Sequence, residues 1–120
     1  MASYVDGYVV PVPKKSIEAY RRLARKAGKV WIEYGALQVW ECAGDDVKPG
    51  KLTSFPQSVK LKADETVIFS WIVFKSRRAR DSINAKVMKD PRLAGMMGPD
   101  KMPFDGKRMF WGGFKEIVAY

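Results

Sequence analysis

Glu65-Thr-Val-Ile-Phe-Ser-Trp-Ile-Val-Phe-Lys75 is the stretch of this sequence that decides the fold. Between positions 67 and 73 it contains a single polar side chain, Ser70, and its apolar residues are β-branched or aromatic. This composition is typical of a β-strand covered on both faces, and not of a helix. Such a strand lies in the middle of a sheet, so we expect the other elements to pack around it.

The length and composition indicate one globular domain. The chain has 120 residues, of which 47% are apolar and 29% are charged, and a chain of this size can bury a core without disulfides. No stretch approaches the roughly 18 apolar residues of a membrane span, and the N-terminus lacks a signal-peptide pattern. Because the lone Cys42 cannot form an internal disulfide, these features favour a cytoplasmic protein.

The residues that are missing limit the chemistry. The sequence contains no histidine, which removes the commonest general base and the commonest metal ligand. With only one cysteine as well, a structural zinc site and a histidine-activated nucleophile are excluded, and we predict neither a metal nor a cofactor. The net charge of +9 leaves anionic small molecules and nucleic acid as partners to consider.

The hydrophobic pattern predicts four strands and two helices. Strands are expected at residues 4–12, 36–43, 65–75 and 108–120, and amphipathic helices at residues 14–34 and 76–89. Gly35 and Ser76 are suited to capping the first and second helix, respectively. Residues 44–63 form a long connection rich in turn residues, and residues 91–106 are expected to be irregular.

Several local features carry more detailed predictions. We interpret Gly7 and the pair Gly112-Gly113 as bulges or as points of close packing. Within the long connection, Phe55 is expected to fold over the sheet, and residues 59–61 are expected to form a short strand at a sheet edge. Cys42 is expected to be a small buried hydrophobic residue.

The order of the elements predicts an α+β fold. Two strand–helix–strand halves with right-handed crossovers give a ferredoxin-like βαββαβ sandwich, in which a four-stranded antiparallel sheet has both helices on one face. The other face of the sheet would also be largely apolar, and a monomer does not expose such a patch to water. The sequence therefore predicts a homodimer through the sheet face, with residues 1–120 forming one domain of a dimeric α+β barrel.

Six segments in order along the chain match the pattern of a known family. They are Tyr4-Val5-Asp6-Gly7-Tyr8-Val9, Lys48-Pro49-Gly50-Lys51, Thr53-Ser54-Phe55-Pro56, Phe69-Ser70-Trp71-Ile72, Asn84-Ala85-Lys86-Val87-Met88 and Met102-Pro103-Phe104-Asp105-Gly106-Lys107-Arg108-Met109. Together they resemble the YbaA-like family of short bacterial proteins. The resemblance implies the dimeric α+β barrel superfamily, which includes cofactor-independent enzymes. Because the family has no known function, it supplies no catalytic residues.

Polar and aromatic residues within the apolar strands are the candidate site residues. The candidate catalytic residues are Asp6 and Glu41, as proton acceptors, and Ser70, as a donor to a developing oxyanion. The candidate ligand-binding residues are aromatic side chains that can line a pocket and cationic side chains suited to an anion: Tyr8, Trp40, Trp71, Lys75, Arg77, Arg108 and Trp111.

Three functional hypotheses follow. The favoured one is a small, anionic ligand bound between the sheet and the helices, either by an enzyme without a cofactor or by a sensor. The second is a nucleic-acid binder that uses the basic helix face of residues 14–29 together with residues 77–80. The third is a non-catalytic interaction protein whose 44–63 connection reaches across the dimer. No membrane partner is predicted.

Overall fold

The computed structural model describes residues 3–95 and 102–120. Within these residues the strands are β1 (Tyr4–Pro13), β2 (Gln38–Ala43), β3 (Glu65–Phe74) and β4 (Phe110–Lys115). The helices are α1 (Ile17–Tyr34), α2 (Phe55–Ser58), α3 (Arg77–Lys89) and α4 (Pro91–Ala94), and a 3-10 turn at Lys14–Ser16 precedes α1. The segment expected to be irregular thus begins with the short α4, and residues 96–101 of it lie outside the described residues.

The four strands form one antiparallel sheet in the order β2-β3-β1-β4. The strand predicted at residues 65–75 is β3, which pairs with β1 over ten positions from Tyr4 opposite Phe74 to Pro13 opposite Glu65. Each strand–helix–strand half crosses over one intervening strand, so the predicted ferredoxin-like α+β sandwich is confirmed.

Local signals set the ends of the helices as expected. Gly35 ends α1 with a φ of 117°, a left-handed conformation that suits glycine. The hydroxyl of Ser76 accepts a hydrogen bond from the backbone N–H of Ala79 at 3.1 Å and so caps the start of α3. Asp90, which precedes Pro91, ends α3 in an extended conformation.

Helices α1, α3 and α4 cover one face of the sheet. Strand alternation points Ile68, Ser70, Ile72 and Phe74 of β3 to this side. The larger core cluster joins Ile72 and Phe74 to α1, α3 and α4 through Val30, Trp31, Ala36, Ile83, Val87 and Leu93. A second cluster at the other end of the strands contains Val10, Val12, Tyr20 and Ile68.

The opposite side of the sheet, which we call the open face, is uncharged except at one end, where the buried Glu65 of β3 pairs with Arg108. Its uncharged members include Val5, Gly7, Val9 and Pro11 of β1, Gln38, Trp40 and Cys42 of β2, Val67, Phe69, Trp71 and Val73 of β3, and Phe110, Gly112 and Phe114 of β4. Large aromatic rings remain in contact with water, since Trp40 is 50% exposed, Phe69 is 43% exposed and Phe114 is 62% exposed. The rings of Trp40 and Trp71 stack at 5.8 Å.

The long connection folds over one end of the open face. The ring of Phe55, at the start of α2, contacts that of Phe69 at 5.6 Å, as predicted. Val59 is buried with Val9 and Val67. The predicted strand at residues 59–61 is wrong, because Lys60 has a φ of 49°, which lies outside the extended region.

The structure contradicts the prediction for Cys42 and, of the two interpretations of the glycines, supports close packing. The prediction that Cys42 is buried is wrong, because alternation along the edge strand β2 places this residue on the open face, where it is exposed. Gly7 and Gly112 lie opposite each other in a regular ladder, so neither is a bulge. They give space to the ring of Phe114, which lies 3.6 Å from the Cβ position of Gly7.

Gly113 marks a point of close packing that can be tested. A Cβ there would lie 2.5 Å from the hydroxyl of Tyr4 and 2.5 Å from Nη2 of Arg80. We therefore expect Gly113→Ala to lower the free energy of unfolding by about 1–3 kcal/mol in urea denaturation. The matched control is Gly95→Ala, because Gly95 already has a helical φ and a Cβ there meets no atom of residues 3–95 or 102–120 within 4 Å. Equal stability of the two variants would contradict the tight contact.

Candidate functional site

Four of the candidate residues form a row across the helix-covered face of the sheet. Ser70 of β3 lies between Glu41 of β2 and Tyr8 of β1. On its other side, Tyr8 lies opposite Trp111 of β4. The rings of Tyr8 and Trp111 stack at 5.9 Å, and Ser70 is buried. All four strands therefore contribute to one polar row, and its β2 end opens toward solvent.

At that end a groove of about 720 Å³ runs between α1 and β2. Its wall is made of apolar side chains, together with Glu33 and Glu41 and with cationic residues from α1. The lining residues are Ile17, Tyr20, Arg21, Ala24, Arg25, Gly28, Lys29, Ile32, Glu33, Val39, Glu41, Ala43 and Ile68. The close approach of α1 to β2 depends on Gly28, whose Cβ position is 3.3 Å from the side chain of Val39.

Glu41 is the polar centre of this groove. The hydroxyl of Tyr20 donates a hydrogen bond to Oε1 of Glu41 at 2.6 Å. Glu41 is exposed to the groove, but the apolar groups behind it remove water from the carboxylate, and this desolvation raises the pKa of Glu41 above its ordinary value. Burial raises the pKa of Tyr20, and the charge of Glu41 adds to the effect. Tyr20 therefore stays protonated and holds the Glu41 carboxylate in place.

Three cations of α1 border the same groove. Arg21, Arg25 and Lys29 are spaced four residues apart, so they form a line with about 6 Å between neighbours along the helix axis. Arg21 contacts Glu18 at 3.2 Å. Glu33, the acidic residue at the rim, is paired with Arg92 at 2.7 Å. The rim is therefore positive on balance.

Asp6 has a different environment from Glu41. It is fully buried beneath α3, where the side-chain amide of Asn84 donates a hydrogen bond to its Oδ2 at 3.0 Å. The Nε of Arg80 lies 3.5 Å from its Oδ1, and the indole N–H of Trp31 donates to Asn84 at 2.9 Å. Burial raises the pKa of Asp6, while Asn84 and Arg80 oppose that rise. This network ties β1 to α1 and α3, and Asp6 is not among the residues that line the α1/β2 groove.

Arg108 is occupied by bonds within the chain. Its Nη1 and Nη2 donate to both carboxylate oxygens of Glu65 at 2.8 and 2.6 Å, and its Nε donates to Asp105 at 2.9 Å. Nη1 also donates to the backbone carbonyls of Val59 and Lys60. Arg108 thus joins the segment before β4 to the start of β3, and its guanidinium has few donors left for a ligand.

The remaining candidates lie on other surfaces. Trp40 and Trp71 are on the open face, on the opposite side of the sheet from the groove. Lys75 follows β3 and is exposed, and Arg77 is exposed at the start of α3 with its Nε 3.9 Å from Asp81. The structure therefore brings Tyr8, Glu41, Ser70 and Trp111 together, while the cationic candidates are dispersed.

Sequence reasoning missed the α1 side of the groove. The amphipathic pattern of residues 14–34 predicts an apolar stripe, on which Tyr20 lies, and a basic face, which includes Arg21, Arg25 and Lys29. One signal was available for Tyr20, because a tyrosine on a core-facing stripe needs a hydrogen-bond partner for its hydroxyl. The partner itself, Glu41, depends on how α1 packs on β2.

The fold is that of an α+β protein of the ferredoxin-like class. Solved structures of similar fold include a NIPSNAP domain protein from Burkholderia xenovorans (TM-score 0.56, 11% identity, 97% of this chain and 94% of that chain). Another is a NIPSNAP family protein of unknown function from Agrobacterium tumefaciens (TM-score 0.57, 12% identity, 95% of this chain and 87% of that chain). A third is a dimeric ferredoxin-like protein from an uncultured marine organism (TM-score 0.57, 11% identity, 100% of this chain and 98% of that chain).

The chain belongs to the family described as "Protein of unknown function (DUF1428)", whose model matches residues 3–106. It is 48% identical over 115 residues to the uncharacterized protein YbaA of Escherichia coli (strain K12). The matched region covers 96% of this chain and 97% of that protein. The YbaA protein of Shigella flexneri matches with the same identity and coverage. The resemblance inferred from the sequence is therefore confirmed. Among the described residues, no helix has the length and apolar character needed to cross a membrane.

The Glu65–Arg108 pair predicts an acid-dependent loss of stability. Hydrogen bonds from Arg108 hold the pKa of Glu65 below its ordinary value, so the stabilisation is present at neutral pH and is lost as pH falls through that lowered pKa. We expect Glu65→Gln to cost about 2–3 kcal/mol near neutral pH by urea denaturation. The difference from the native chain should shrink below the ordinary pKa of a glutamate.

The matched control is Glu18→Gln, which removes an exposed ion pair with Arg21. We expect it to change the free energy of unfolding by less than about 1 kcal/mol. A pH-independent cost for Glu65→Gln would show that the carboxylate charge is not what stabilises this region.

Proposed function

We propose that this protein is a homodimer that binds a small molecule in the groove between α1 and β2. The ligand is mostly apolar and carries one anionic group. The observation that carries this proposal is the Glu41 carboxylate, which has a raised pKa and is held by Tyr20 within an otherwise apolar wall. A few convergent polar groups in an apolar cleft are the usual composition of a ligand site.

The dimensions and charge of the groove support this class of ligand. A volume of about 720 Å³ lies within the roughly 300–1,000 Å³ common for small-molecule sites. Aliphatic residues of α1, β2 and β3 supply a surface for an apolar body. Arg25 and Lys29 at the rim form no ion pair within the described part of the chain, so they are suited to an anionic group.

The same geometry supports chemistry that needs no cofactor. A carboxylate with a raised pKa is a stronger base than an ordinary glutamate, and Glu41 in its ionised form would accept a proton from a bound ligand. Tyr20 would keep the carboxylate oriented during the transfer. Ser70 and Tyr8 lie behind Glu41 in the polar row, where burial raises the pKa of Tyr8 and keeps it a hydrogen-bond donor.

The homodimer is supported by the open face. Each copy has a net charge of +9, so contact between charged surfaces of two copies would add local repulsion, whereas the exposed strand side chains of the open face are uncharged. A second copy that packs sheet against sheet would remove its exposed aromatic rings from water. One solved structure of similar fold is described as a dimeric ferredoxin-like protein.

Nucleic-acid binding receives less support. That hypothesis needs the basic face of α1 and the arginines of α3 to act together. Arg80 turns inward toward Asp6 and Tyr4, and Arg77 lies near Asp81. The α3 side therefore offers fewer cations to a phosphate backbone than its sequence suggests.

The fluorescent apolar anion anilinonaphthalene sulfonate (ANS) is a probe that tests the groove. We expect its affinity to rise as pH falls from neutral toward the ordinary pKa of a glutamate, because the pKa of Glu41 is raised and its protonation removes a negative charge beside the sulfonate. In Glu41→Gln the affinity should be nearly independent of pH over the same range. Fluorescence titration at several pH values measures both. A parallel rise in the native chain and in the variant would contradict a role for Glu41.

A matched pair of charge reversals locates the bound anion. Arg25 lines the groove, whereas its neighbour Lys26 is exposed and is not among the lining residues. We expect Arg25→Glu to weaken ANS binding about tenfold and Lys26→Glu to leave it nearly unchanged. Equal weakening would indicate attraction by net charge alone, and no binding by the native chain would remove the proposal.

The dimer has its own test. Sedimentation equilibrium at micromolar concentration should give twice the chain mass for the native protein. Trp40→Glu replaces an exposed aromatic ring of the proposed contact with a charge, so we expect a monomer. Met88→Glu, at an exposed apolar residue of α3, is the control and should remain a dimer. A monomeric native protein would contradict the proposed assembly.

A further inference from the structure

The residues of α1 that line the groove extend along nearly the whole helix. They recur every three or four positions from Ile17 to Glu33, and residues with this spacing lie on one side of a helix. This range advances about 24 Å along the helix axis. The groove is therefore elongated and runs along α1.

β2 forms the opposite wall of this elongated groove. Val39 lies beside Gly28, 3.3 Å from the position of its Cβ, and Glu41 binds the hydroxyl of Tyr20, closer to the start of α1. The volume of about 720 Å³, spread over about 24 Å, gives a mean section of about 30 Å². Since carbon atoms in contact lie about 3.5–4.0 Å apart, one extended chain fills that section.

At both ends of the groove, charged residues of α1 already have partners. Arg21, near the start of the helix, contacts Glu18 at 3.2 Å. Glu33, near its end, contacts Arg92 at 2.7 Å. Because the two charges of each pair offset one another, neither end of the groove attracts an anionic group strongly.

Arg25 and Lys29 lie between these two ion pairs. They are one helical turn apart, which is about 6 Å, and within residues 3–95 and 102–120 neither has an ion-pair partner. A carboxylate placed there can accept hydrogen bonds from both. From these cations the groove continues for about 12–18 Å toward Ile17. The wall of that part is apolar apart from Arg21 and the Glu41 carboxylate with its hydrogen-bonded hydroxyl.

Glu41 lies partway along this apolar part and can accept a further hydrogen bond. Tyr20 donates to its Oε1, and an ionised carboxylate has acceptor sites on both of its oxygens. Tyr20 precedes Arg25 by five residues and Lys29 by nine, so Glu41 lies about 7–14 Å from these cations along the helix axis. A chain that passes Glu41 fits best if it carries a hydroxyl at this distance from its anionic end, because a plain chain would cover the carboxylate without replacing its hydrogen bonds to water.

We infer that the ligand is a linear aliphatic carboxylic acid of about 10–15 carbon atoms that carries a hydroxyl about 6–11 carbons from its carboxylate. This inference rests on the ligand groove proposed above. The carbon numbers follow because an extended chain advances about 1.2 Å per bond, one third of the extended length of a residue. The carboxylate lies at Arg25 and Lys29, the hydroxyl donates to Glu41, and the chain covers the apolar wall toward Ile17.

Two isomeric acids with one hydroxyl each test this inference. The hydroxyl of 10-hydroxydecanoate reaches the level of Glu41, whereas that of 2-hydroxydecanoate stays beside the carboxylate. We expect the first to displace bound ANS from the native protein at about tenfold lower concentration at neutral pH, because only its hydroxyl bonds to the charged Glu41. Glu41→Leu should remove this preference, and Glu41→Gln, which keeps an acceptor, should retain part of it.

Chain length gives a second measurement, made in Glu41→Gln so that no charge opposes a plain chain. Displacement of ANS by unsubstituted acids should strengthen about fourfold per methylene and level off at about 10–15 carbons. Adding Ala43→Phe, which places a ring in the groove opposite Ile68, should shorten this limit by about three carbons, since a ring fills one contact layer of about 3.5–4.0 Å. Ala85→Phe, on the exposed side of α3, is the matched control and should leave the limit unchanged.

The outcomes separate this inference from the groove itself. Equal displacement by the two isomers, or a preference that persists in Glu41→Leu, overturns the hydroxylated ligand. Affinity that rises with chain length without a limit, or a limit that Ala43→Phe does not change, overturns binding along the groove. In each case the groove remains a ligand site if ANS binding depends on Arg25 and Glu41 as described above. If the native protein does not bind ANS, both proposals are wrong.

Discussion

The two long helices, α1 and α3, cover only one side of the four-stranded sheet. The rest of the structure depends on the side that they leave uncovered. The central strands β1 and β3 are mostly apolar on both sides, so helices α1, α3 and α4 bury half of their side chains and leave an exposed aromatic surface on the other half. The 44–63 connection covers one end of that surface through Phe55 and Val59. The remainder still exposes large rings such as Trp40 and Phe114, which is why a second copy enters the proposal.

On the helix-covered side, two carboxylates of the same chemical type have different roles because of their strand positions. Asp6 lies on a central strand beneath α3, where Asn84 and Arg80 enclose it. Glu41 lies on the edge strand β2, where one side of the carboxylate meets Tyr20 and the other faces the groove. Burial raises the pKa of both, but only Glu41 combines that shift with access for a ligand.

The proposed groove and the proposed dimer meet at β2. The inner side of this strand lines the groove with Val39 and Glu41, and its outer edge is the free edge of the sheet. Membership of the DUF1428 family and the similar folds of solved structures support the architecture, and the ligand and the homodimer are proposals made from the geometry.

The sequence alone determined the architecture, because hydrophobic periodicity and the capping residues Gly35 and Ser76 act over a few residues. It also placed Tyr8, Glu41, Ser70 and Trp111 on strands that the fold brings into one row. Only the tertiary structure decided which charged groups are enclosed and which stay available. Arg108 lies 43 positions from Glu65 in the chain and Tyr20 lies 21 positions from Glu41. Such pairings follow from the packing of helices on strands, which periodicity does not encode.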